Sequence, residues 1–148
     1  MNKQMIQDLR DKLVAERDLH EQNTWGRVAP EAVNLNDEGF ATVTCHTAAC
    51  AAGHTCLMAG DQFLVRDVDY LSFRGAYSVE KVITADGNAE YVSDRARALL
   101  GISPFEEDVL FAAHHSHEET IHLLDQLLAN EDIEDYCSEN CCYDRDDD

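Results

Sequence analysis

No run of this chain approaches the roughly eighteen consecutive apolar residues that a membrane-spanning helix needs, so no membrane partner is expected. Proline is scarce, at 2 in 148 residues, and glycine stands at 7, which argues against a linker-rich array and against low complexity. No apolar segment follows a basic start, because Met1 to Arg17 mixes charges with isolated apolar residues. A secretory leader is therefore not expected, and a cytoplasmic protein with reduced thiols is. Basic residues are few as well: Lys and Arg number 11 against 30 Asp and Glu, for a formal net charge of −19, and none falls between Val28 and Val65. Phosphate backbones attract proteins through Lys and Arg, so direct nucleic-acid binding is not expected. Phosphate-binding loop, dinucleotide fingerprint and hydrolase elbow are all missing, which lowers the expectation of an enzyme.

What is present is enough for one compact core, with 45% apolar residues in a chain of single-domain length. The domain is expected over residues 1–130 and an acidic, Cys-containing tail over 131–148. That tail holds Glu131, Asp132, Glu134, Asp135, Glu139, Asp144, Asp146, Asp147 and Asp148 against Arg145 alone. A field of this sign steers the chain toward basic protein surfaces, including those that hold nucleic acid.

Ile6, Leu9, Leu13 and Val14 recur at helical spacing between charges, which predicts an amphipathic helix from Lys3 to about Leu19. From Gln22 to Gly39 the chain reads as loop and short turns, with the lone Trp25 plugging the core. Thr47 is read as the N-cap of a buried, Ala-rich helix over 47–59 that stops at Gly60-Asp61. Residues 62–68 and 79–92 have strand composition, with Asp86-Gly87-Asn88 suited to a hairpin turn. Ser93 or Asp94 is expected to cap a short helix ending at Leu100-Gly101. Ser103-Pro104-Phe105-Glu106 and Ser116-His117-Glu118-Glu119 carry the capping-box pattern and open two more. The fold class expected is α+β: a mostly helical single domain of about five helices around the Ala-rich helix, with a small antiparallel sheet of two or three strands. Ile133, Tyr136 and Cys137 are the tail residues suited to docking back.

Gln22-Asn23-Thr24-Trp25, Cys45-x-Thr47-x-x-Cys50-x-Ala52-Gly53, Leu57-Met58-Ala59-Gly60, Ala98-Leu99-Leu100-Gly101 and Val109-Leu110-Phe111 together carry a likeness. Over roughly Trp25 to Leu128 the chain resembles small uncharacterised proteins of actinobacteria and their bacteriophages. Those have a Trp, a Cys-Gly-Thr-x-x-Cys-x-Ala-Gly segment and a later Leu-Leu-Gly followed by Leu-Phe. His46 departs from their usual glycine and His54 from a common aromatic. The resemblance implies a phage-type accessory protein made inside a bacterial host cell, and it implies no reaction.

Three clusters are candidates for chemistry. With Thr47 as cap, Cys50 becomes the third helical residue, where the positive helix end favours a thiolate. A thiol-dependent hydrolase would pair it with His114, His115 or His117 as base. Cys45, Cys50 and His54, with Cys56 nearby and Cys137, Cys141 and Cys142 in the tail, offer zinc ligands, which makes a small zinc-stabilised module a second alternative. On one unbroken helix His115, Glu118 and His122 would share a metal-binding face, but the break expected at Ser116 spoils it. The favoured reading is non-enzymatic and without a cofactor. It is an acidic accessory protein that binds a host or phage protein through the tail carboxylates Glu131, Asp132, Glu134, Asp135, Asp144, Asp146, Asp147 and Asp148, occluding a nucleic-acid-binding surface.

Overall fold

A computed structural model of the chain describes residues 1–43, 47–134 and 136. The fold is α+β. Helix α1 (Lys3–Ala15) is followed by strands β1 (Arg27–Val28), β2 (Phe40–Val43) and β3 (Thr47–Ala48), then by helix α2 (Ala51–Met58). Strands β4 (Gln62–Arg66), β5 (Tyr70–Leu71), β6 (Ala76–Ser78), β7 (Lys81–Ile83) and β8 (Ala89–Tyr91) precede helices α3 (Val92–Leu100), α4 (Pro104–Leu110) and α5 (His117–Leu128). Two four-stranded antiparallel sheets form, in the orders β3-β1-β6-β5 and β2-β4-β7-β8. The second contains the strands expected from composition, and Gly87 at φ +86° turns β7 into β8. The first is built largely from two-residue strands, which are too short to show a period of two in sequence.

The Ala-rich helix is central, as its composition predicts. Ala51, Ala52, Gly53, His54, Thr55 and Cys56 are all buried, and α2 packs on α1, α3 and β4. A Cβ at Gly53 would sit 2.2 Å from the Trp25 carbonyl oxygen and 2.6 Å from Ala49 Cβ, so only glycine lets the Trp25 turn lie this close. The helix start is a correction. Thr47 does not cap α2 but belongs to β3, with Val28 opposite Thr47 and Arg27 opposite Ala48. The next amides are spent outside any helix: Ala49 N–H donates to Leu19 O and Cys50 N–H to Thr24 O. Cys50 is therefore the N-cap. At the other end Gly60 N–H donates to Leu57 O and Asp61 N–H to Cys56 O, closing the helix at the expected stop. Helix α3 likewise begins earlier than expected, with Tyr91 rather than Ser93 or Asp94 at its N-cap.

Both capping boxes form, Ser103 with Glu106 and Ser116 with Glu119. Between them α4 ends at Leu110, which leaves His115 outside α5 and removes the His115, Glu118, His122 face. Helices α1 and α5 pack against each other through Ile6, Leu9 and Leu13 on one side and Leu123, Leu124 and Leu127 on the other. Val14, the remaining apolar residue of the α1 pattern, is half exposed. Ile133 is fully buried and Tyr136 packs on the same core; Cys137 lies outside the described residues.

Candidate functional site: the histidine network, the aromatic groove and the acidic surface

Cys50 is 1% exposed and burial pushes its thiol up to about 11. The same cause raises Cys56, whose Sγ lies 3.7 Å from Val92 O. Neither thiol touches solvent, and among the described residues no imidazole is hydrogen-bonded to Cys50. The helix end that was to favour a thiolate is overruled because removing the sulfur from water costs more than the partial charges of the Ala52 and Gly53 amides return. The thiol-hydrolase arrangement thus lacks both an accessible nucleophile and a base.

His54 is equally committed. Its Nε2 donates to Leu19 O at 2.9 Å and its Nδ1 accepts from Lys12 Nζ at 2.6 Å, so neither nitrogen is left for a metal. Burial, then the neighbouring Lys12 charge, lowers its pKa to about 4, and burial lowers Lys12 in turn. Among the described residues no group of three or more His, Cys, Asp or Glu is placed to hold an ion. Cys45, Cys141 and Cys142 lie outside the described residues, as do the expected partner-binding Asp135, Asp144, Asp146, Asp147 and Asp148.

The structure assembles a histidine network that sequence spacing did not show. His20 Nδ1 and His117 Nδ1 are 2.7 Å apart, joining the turn after α1 to the first residue of α5. The proton positions follow from the partners. Gln22 Nε2 donates to the Leu110 and Ala112 carbonyls, which turns Gln22 Oε1 toward Ala51 N–H and His20 Nε2. His20 therefore carries its proton on Nε2, and its Nδ1 accepts from His117 Nδ1–H. Burial lowers the pKa of both rings, and the nearby Arg17 guanidinium lowers each further. Of the other histidines, His115 is buried with Nε2 on Val109 O at 2.7 Å, while His114 and His122 are exposed. The network is a lock between elements: both nitrogens of His20 are engaged within it, and Gln22, which orients it, also lines the neighbouring groove.

Beside it lies a groove of about 300 Å³ between the Trp25 turn and the β5–β6 hairpin, lined by Trp25, Tyr77, Phe111, Arg27, Arg74 and Asn23. Gln22-Asn23-Thr24-Trp25 was visible in sequence as a polar break around a lone tryptophan. Its partners Tyr77 and Arg74 sit some fifty residues away and gave no local signal.

The surface is the third feature. Among the described residues seven cations are held by carboxylates: Arg10, Lys12, Arg17, Arg27, Arg66, Arg95 and Arg97. Lys3 is spent on the Leu127 and Leu128 carbonyls at the end of α5, and Lys81 lies over the Tyr91 ring. Asp8, Asp18, Glu31, Asp37, Glu38, Asp86, Asp94, Asp108, Glu131, Asp132 and Glu134 are exposed with no cation against them among the described residues. No helix among the described residues is long and apolar enough to cross a membrane. No protein-family model, curated protein or solved structure matches the chain.

Proposed function

We propose that this chain is a non-enzymatic accessory protein, of the phage type its sequence resembles, that acts inside a bacterial host cell by binding a basic protein surface and keeping nucleic acid off it. The observation that carries the reading is the disposition of charge. Among the described residues all the cations but Arg74 are engaged in contacts within the fold, and the surplus carboxylates face solvent uncompensated. Such a surface attracts a basic partner at long range and repels phosphate. The exposed Glu131, Asp132 and Glu134 continue it into the acidic tail.

The test is competition. A sequence-nonspecific, basic DNA-binding protein is held on a labelled duplex, and this chain is titrated in at low and at moderate salt. Release of the duplex that weakens as salt rises is the expected result, and E131K/D132K/E134K shifts the release to higher concentration. No release at low salt, or release untouched by charge reversal, overturns the reading.

A further inference from the structure

The groove beside Trp25 stands apart from the acidic surface and has the opposite character. Its aromatic part, about 300 Å³, has room for one ring with a short arm, and at Asn23, Arg27 and Arg74 it opens into a second hollow. Its aromatic side is set in advance. Trp25 and Phe111 meet edge to face with centroids 6.4 Å apart, and Tyr77 is steadied by Tyr70 at 5.1 Å. Rings already held in place lose little freedom when a planar ligand arrives.

The polar side is electropositive in a chain of net −19. Arg27 is clasped by both oxygens of Glu21, with Nε to Oε2 at 2.8 Å. Arg74, on the hairpin turn, has only the exposed Phe73 ring at 5.8 Å, so the pair of arginines leaves one positive charge in excess beside Glu21. Among the described residues the Asn23 amide, the Tyr77 hydroxyl and the Arg74 guanidinium also have no hydrogen-bond partner, although all three line the groove. The guanidinium can only donate, and the amide and the hydroxyl can each turn a donor the same way, so the three suit acceptor oxygens. One excess charge matches a monoanion, whereas a doubly charged phosphate would leave a negative charge uncompensated within the acidic field.

We propose that this groove binds a small aromatic monocarboxylate, its ring against Trp25, Tyr77 and Phe111 and its carboxylate on Arg74 with Asn23 and Tyr77 donating. This goes beyond the acidic-surface reading and is independent of it.

Trp25 is the only tryptophan, so its fluorescence in the full chain reports occupancy, with calorimetry on the same samples in case the ring is optically silent. The probe is 3-phenylpropanoate, set against 3-phenylpropanamide, 3-cyclohexylpropanoate and adenosine monophosphate. Saturable binding of the acid is expected, with the amide and the cyclohexyl analogue each about tenfold weaker, because a lost charge-assisted contact or ring contact is of that size. Arg74→Gln weakens the acid about tenfold without a change in melting temperature, since Arg74 holds no carboxylate, and Arg97→Gln on α3 leaves binding intact. No saturable signal by either method at millimolar acid, equal binding of acid and amide, tighter binding of the nucleotide, or an unchanged affinity in Arg74→Gln each overturns the proposal.

Discussion

Burial decides how single residues of this protein titrate and pack, and His54 is the clearest case. Folded, it titrates near 4, whereas in an unfolded chain it takes a proton near the usual 6.5. The unfolded state therefore binds more protons between those values, and the stabilising effect of neutral His54 is complete above about pH 6.5 and is lost as pH falls toward 4. The loss is on the order of 3 kcal/mol, with His20 and His117 shifted the same way and adding to it. Urea unfolding near pH 7 and near pH 5 is expected to show the drop, and His54→Gln is expected to flatten it while lowering the neutral plateau. A slope unchanged in that variant would place the pH dependence elsewhere. Gly53 makes a second prediction: Ala at this position is expected to cost about 3 kcal/mol or more, because a methyl group meets the Trp25 carbonyl and no flexible side chain can yield. Cys50 and Cys56 supply a third, read by alkylation and peptide mass mapping. Both are expected to resist alkylation in the native protein and to react on unfolding, and rapid native labelling of Cys50 would reopen the thiol reading.

At the scale of elements, the helices are joined by polar ties that the hydrophobic pattern does not contain. Asp61, fully buried just beyond α2, accepts both Nε and a terminal nitrogen of Arg95 on α3, at 2.7 and 3.1 Å. Asp61→Ala strands Arg95 beside a low-dielectric site and is expected to cost about 3 kcal/mol by chemical denaturation. Ser116→Ala removes one cap from α5 at about 1 kcal/mol. These elements were unequally legible. The two capping boxes, the Gly60 and Gly101 stops and the Asp86-Gly87-Asn88 turn were readable because each depends on neighbours within four residues. The start of α2 was not, since Thr47 has a good capping residue's chemistry but its segment is claimed by β1, twenty residues earlier. Short strands β1 and β3 escaped for the same reason, their pairing being entirely non-local, whereas β5 pairs locally with β6 but is only two residues long.

At the scale of the whole molecule, the proposed function rests on the uncompensated surface charge. Association with a basic protein is expected to weaken steeply as ionic strength rises, because exposed carboxylates act across distances that salt screens. Arg10 ties α1 to Asp125 at 2.7 Å and Arg17 ties the turn after α1 to Glu118, so Arg10→Gln and Arg17→Gln release carboxylates and are expected to strengthen that association slightly, with little change in stability. A binding constant indifferent to salt would remove the electrostatic account.

By itself the sequence determined the α+β class, the amphipathic α1, the buried place of the Ala-rich helix and the sign of the surface, because these follow from composition and from periods of two or four residues. Tertiary structure alone decided which groups stand side by side. It buried Cys50 and occupied both nitrogens of His54, which linear spacing had offered as a nucleophile and a metal ligand. It also brought His20 to His117 and Arg74 to Trp25 across ninety-seven and forty-nine residues. Reactivity and recognition depend on desolvation and on contacts within a few ångströms, and neither is a property of distance along the chain.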